Sequence, residues 1–118
     1  MSKMQTIADL CYKQLNGLLP VLKIDCSDNI CSSVLVSGSF DHPSTWKNDI
    51  FQNSKFFQII IGVKGKRYYD DGDKVYTELI AYHYKLPKMR KVTGSPEKVV
   101  GKIKDWIVSI NAKGLKDG

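Results

Sequence analysis

Four cations, Lys85, Lys88, Arg90 and Lys91, fall within seven residues that contain no acid. Positive side chains at that density suit phosphate oxygens, which require only mobile cations at workable spacing and make no demand on sequence. The cluster is the densest part of a wider imbalance. Residues 64 to 104 hold eleven Lys/Arg against five acids, whereas the rest of the chain holds seven of each, so the net charge of +6 arises in this one stretch. A field that lopsided usually faces something negative. The candidate contact residues are therefore Lys64, Lys66, Arg67, Lys85, Lys88, Arg90 and Lys91, with Tyr68 placed to stack on a base. A charged run that is simply a solvated surface has the same appearance in sequence, and that alternative stays open at this stage.

Other chemistry finds little support. Paired-carboxylate catalysis needs two acids converging in a pocket, and nothing brings Glu78 or Glu97 near an aspartate. Asp70, Asp71 and Asp73 lack the longer loop and terminal Glu of a calcium site, and hairpin chemistry accounts for them. A zinc site at Cys26 and Cys31 would need two more ligands, and His42 and His83 lie far apart in sequence without metal-ligand spacing. A Cys31–His83 nucleophile pair is compatible with spacing, as such pairings are in most chains. Gly62-Val63-Lys64-Gly65-Lys66 is too short in glycine for a phosphate-binding loop and sits inside a strand pattern. No catalytic residue, metal or cofactor is expected, and the chain reads as a non-enzymatic module.

At 118 residues, 42% apolar and 25% charged, the chain has the composition of one soluble globular domain spanning 1–118. No apolar run approaches the length of a membrane helix. The N-terminal pattern is interrupted by Asp9 and Lys13, unlike the apolar core of a signal peptide, so a cytoplasmic protein is expected. Reduced cysteines agree with that compartment. Cys26 and Cys31 flank a short turn where a disulfide would add little stability.

The elements that must position the cations follow from periodicity. Met4, Ile7, Cys11, Leu15 and Leu18 form a helical stripe over about residues 3 to 16. Asn16-Gly17 stops that helix and Pro20 prevents its continuation. Strands are expected at 21–26 and 32–40, then a short helix at 44–52 carrying Trp46, Ile50 and Phe51 inward. Two longer strands, 55–69 and 74–86, flank the Asp71-Gly72 hairpin signal. Ser95-Pro96-Glu97 opens the last helix, with Val99, Val100, Ile103, Trp106, Ile107 and Ile110 on one face. Residues 111–118 read as a frayed polar tail. The expected fold is α+β: a single antiparallel sheet of about four strands with two long helices packed on one face.

A hairpin centred on Asp71-Gly72 sets the register. It places Val63 opposite Ile80, Ile61 opposite Tyr82, Ile59 opposite Tyr84 and Phe57 opposite Leu86, all facing the helices. Tyr82 and Tyr84 then belong to the core. Gln58, Ile60, Gly62, Lys64, Lys66 and Tyr68 lie on the other face beside Lys85, His83, Ala81, Leu79, Thr77 and Val75. Arg67 falls opposite Tyr76, beyond the helices. A loop one residue longer would exchange the sides of one strand.

The element order is similar to that of the type III secretion chaperones, which are acidic as a class whereas this chain is basic. It departs from the double-stranded-RNA-binding module, which has no helix within its sheet. Neither is matched by a motif. The expected function is a basic module that engages nucleic acid, or a protein–nucleic-acid complex, through a positive sheet face and the 85–91 loop. The alternative is a small protein-binding module or inhibitor, of the kind a mobile element encodes, docked on an acidic surface of a larger machine. An exposed strand edge at 21–26 or 32–40 would also allow pairing with a partner's sheet or with a second copy as a homodimer.

Overall fold

Among the described residues the amphipathic stripes and their punctuation produce two helices and a meandering sheet. The computed structural model describes residues 3–27, 33–41, 55–63 and 74–113. The first helix, α1, spans Lys3–Leu15 and buries Met4, Ile7, Ala8, Cys11 and Leu15 at the expected three- and four-residue steps. It ends where the Asn16 N–H donates to the Tyr12 carbonyl at 2.9 Å and Gly17 takes φ +86°, a conformation open to glycine.

Five strands follow in the order β1 (Val21–Ser27), β2 (Ser33–Ser39), β3 (Phe56–Val63), β4 (Val75–Tyr82) and β5 (Thr93–Gly94). They pair antiparallel in sequence order as one sheet. The last helix, α2, spans Pro96–Lys113. Its N-cap forms as the sequence predicts: the Lys98 N–H donates to Ser95 Oγ at 3.3 Å, and Pro96 occupies the first helical position. The helix runs past the expected boundary at 111. Asn111 Nδ2 donates to the Leu18 carbonyl at 2.9 Å, which ties this end of α2 to the turn after α1.

Both helices contribute to one apolar cluster with Val34, Val36, Phe57, Ile59, Ile61 and Val75 from the inner face of the sheet. Gly38 is needed in that layer. A Cβ there would lie 2.8 Å from Leu19 Cδ1, 2.9 Å from the Val21 carbonyl oxygen and 3.0 Å from Phe57 Cε1. Asp41 follows β2 and Lys55 precedes β3, and the two meet side by side. They are joined by the Lys55 N–H donating to Asp41 Oδ2 at 2.7 Å and by the Lys55–Asp41 ion pair at 3.7 Å. The short helix expected at 44–52, with Trp46, lies outside the described residues, as do 64–73.

Three expectations need correction. The sheet has five strands rather than four, because residues 93–94, read as loop, pair with Tyr76 and Val75. The strand expected over 74–86 ends at Tyr82, where the chain turns and Leu86 N–H donates to the His83 carbonyl. The β3–β4 register also differs. Ile61 lies opposite Thr77 and Val63 opposite Val75; Gln58 pairs with Ala81 but Ile59 with Leu79, leaving Ile80 as a bulge. Val75, Thr77 and Leu79 therefore face the helices rather than solvent, and Ile80 is half exposed. The bulge restores the expected side for Tyr82, now opposite Phe57. Tyr84 lies beyond the strand end and is 79% exposed, not in the core. His83, expected on the outer face, is buried.

Candidate functional site

The four clustered cations lie on a strap, residues 83–92, that leaves β4, crosses toward α2 and returns to pair as β5. Its sequence explains why it holds one path. Leu86, Met89 and Val92 recur at steps of three; Leu86 is buried, and Met89 and Val92 are partly buried against the core. The residues between them, Lys85, Lys88, Arg90 and Lys91, are all exposed.

Hydrogen bonds fix the strap at both ends. At its start the His83 N–H donates to the Phe56 carbonyl at 2.9 Å, and the Lys85 N–H donates to His83 Nδ1 at 3.1 Å. In the middle Trp106 Nε1–H donates to the Pro87 carbonyl at 3.3 Å. Trp106 is held in turn by edge-on contacts with Phe40 and Phe57 at 6.1 and 5.2 Å between ring centroids. At the far end the Thr77 N–H donates to the Val92 carbonyl at 2.9 Å, and the Val92 N–H donates to Thr77 Oγ1 at 3.1 Å. The buried hydroxyl of Thr77 thus has a partner, as a buried polar group should.

No strap cation forms an ion pair among the described residues, although Glu78 shares a crevice with Lys88 and Lys91. Among the described residues the ion pairs are Lys23–Asp25 and Lys55–Asp41, and neither touches the strap. Two strap cations meet aromatic rings instead. Lys91 Nζ lies 4.8 Å from the centroid of Tyr76, and Lys85 Nζ lies 5.9 Å from that of Tyr84. Tyr76 is itself fixed by lying across Gly62, where a Cβ would come within 2.7 Å of its Cζ. Tyr84 stacks on His83 with centroids 4.5 Å apart and planes inclined by 29°. Where the strap diverges from β4, an open crevice of about 210 Å³ is lined by Glu78, Leu79, Tyr82, Lys88, Met89 and Lys91.

Lys85, Lys88, Arg90 and Lys91 are exposed on one strap that hydrogen bonds hold at both ends and in the middle; Lys85, expected on the sheet's outer face, lies beyond the end of β4. Lys64, Lys66, Arg67 and Tyr68 lie outside the described residues. The sheet's outer face, in its described part, is not basic: it carries Lys23, Asp25 and Glu78. The strap, not the sheet face, holds the described positive charge of the candidate site. Tyr84 was missed because the hairpin register assigned it to the core. The three-residue spacing of Leu86, Met89 and Val92 was the available signal for the strap.

The other candidates gain nothing. Cys11 is fully buried, and burial pushes its thiol up to about 12, the reverse of what a nucleophile requires. Cys31 of the Cys31–His83 pair lies outside the described residues. No group of three or more His, Cys, Asp or Glu among the described residues is placed to hold a metal ion. No helix among them is long and apolar enough to cross a membrane. Compared with family models, curated proteins and solved structures, the chain matches none.

Proposed function

We propose that the protein is a non-enzymatic binding module that engages nucleic acid, alone or in a protein–nucleic-acid complex, through the 83–92 strap. The observation that carries this reading is the placement of Lys85, Lys88, Arg90 and Lys91. All four are exposed, with no ion-pair partner among the described residues, on a backbone pinned by Thr77, Pro87 and Leu86. Tyr84, exposed beside Lys85, offers a face on which a base can stack. Lys64, Lys66, Arg67 and Tyr68 extend the same positive stretch in sequence and would add further contacts.

Salt dependence tests the proposal. Each phosphate neutralised contributes about −0.9 to the slope of log affinity against log salt on duplex DNA, and about −0.7 on a single strand. Reversing Lys88, Arg90 and Lys91 to Glu should weaken binding on every sequence and flatten that slope by roughly 2 to 3. Absence of binding to DNA and RNA at low salt, or a slope unchanged by the reversal, overturns the reading.

One observation favours a second reading, a protein-binding module or inhibitor docked on an acidic protein surface. The crevice beside Lys88 and Lys91 has Leu79, Tyr82 and Met89 in its lining, which suits an apolar side chain flanked by acids better than a phosphate. Nuclease-resistant co-purification of one stoichiometric protein from the native cell would select this alternative.

A further inference from the structure

The two edges of the sheet are finished differently. At the β4 side the edge is closed by a strand of only two residues, β5, continuous with a strap of like charges. Short, charged edges are a common protection against unwanted pairing. At the other side β1 is seven residues long and pairs with β2 without a bulge from Val21–Ser39 to Ser27–Ser33. β2 is interior, so among the described strands β1 is the one with an edge to offer. Its inward side chains, Leu22, Ile24 and Cys26, are only partly covered, whereas Val34 and Val36 opposite them are 0% exposed. On the outer face Lys23 and Asp25 are 72% and 54% exposed and only 3.9 Å apart.

The order of these residues is self-complementary. We infer that β1 pairs antiparallel with β1 of a second copy of this chain, about a twofold axis through Ile24, to give one continuous sheet across the dimer. In that register Ile24 meets Ile24 of the second copy and Leu22 meets Cys26, so the apolar faces coincide. Lys23 then lies opposite Asp25 of the second copy, twice by symmetry. The neighbouring registers that keep the apolar faces together are centred on Lys23 or on Asp25, and each places like charges opposite, which is unfavourable. Charge order therefore selects a single register. The strap lies at the far edge of each sheet, so the dimer would present two strongly basic elements at its opposite ends.

Sedimentation equilibrium from micromolar to millimolar protein tests the inference, with far-UV circular dichroism to check folding. The chain should associate reversibly to a dimer. Lys23→Asp or Asp25→Lys alone should raise the dissociation constant about tenfold or more, because both symmetric pairs turn repulsive. The double exchange, Lys23→Asp with Asp25→Lys, should restore the dimer. A monomer throughout the range overturns the inference. So does a dimer indifferent to the single changes, or a folded double variant that stays dissociated. Reversal of Lys88, Arg90 and Lys91 should leave the dimer constant unchanged, so this result is read independently of nucleic-acid binding.

Discussion

Replacing Thr77 with Val isolates the join between strap and sheet. The side chain is fully buried, and its Oγ1 is the acceptor for the Val92 N–H at 3.1 Å. Valine keeps the shape, and its backbone N–H can still donate to the Val92 carbonyl, but the Val92 amide is left without that acceptor. A stranded donor of this kind costs about 1–3 kcal/mol. The added methyl group returns up to about 0.8 kcal/mol through burial. The expected net loss is about 1–2 kcal/mol, or about 4–8 °C in Tm for a domain of this size. Amide exchange gives the local readout: the Val92 N–H should exchange faster in Thr77→Val. Thr77→Ser, which keeps the hydroxyl and loses only a methyl group, should retain its protection. If Thr77→Val is as stable as the parent, or if Val92 exchanges alike in the Val and Ser variants, the strap is not held by this hydroxyl.

Two further outcomes concern the core. Gly38→Ala should destabilise by about 1–3 kcal/mol in urea titration, since the new methyl group meets a backbone carbonyl that cannot rotate away; an unchanged midpoint would contradict the packing described. Cys11, whose thiol is raised from 9.0 to about 12 by burial, contributes stability that is complete below pH 9. The unfolded chain ionises first as pH rises, so that contribution is lost between pH 9 and about 12. Cys11→Ala should flatten the alkaline arm of the stability curve, and in the parent the thiol should react with a disulfide reagent only as fast as the protein opens.

What the sequence yields and what it hides divide along physical lines. The helices are written in local periodicity, so Met4 to Leu15 and Val99 to Ile110 declare their buried faces, and Gly17 and Ser95-Pro96 mark ends through backbone preferences of single residues. The hairpin register is not local. Asp71-Gly72 is a sound turn signal, yet residues 64 to 74 separate the paired Val63 and Val75, and one extra residue at Ile80 changes the side of everything beyond it. That single bulge is why Tyr82 reaches the core while Val75, Thr77 and Leu79 exchange faces. Strand β5 was hidden for another reason: two residues carry no alternation, and Thr93–Gly94 becomes a strand because Thr77 binds Val92 beside it.

Lys85, expected on the outer face of a strand running to 86, lies beyond the strand end at Tyr82, whereas Lys88, Arg90 and Lys91 were read as loop residues without use of the register. Lys85, Lys88, Arg90 and Lys91 are positioned by Leu86, Met89 and Val92 entering the core between them, and by Trp106 and Thr77 gripping the backbone. Four like charges so close repel one another, so the fold must hold them there with apolar contacts and hydrogen bonds. The ordering cost is then met during folding rather than on binding, which is the advantage of preorganisation. Charge and order should separate experimentally. If the strap binds an anionic strand as proposed, removing cations should lower both the affinity and its salt slope, because the slope counts phosphates. Loosening the strap through Thr77→Val should lower affinity while the slope stays that of the parent, since every cation is still present. If both variants flatten the slope equally, the strap's rigidity has no role of its own in holding the charge.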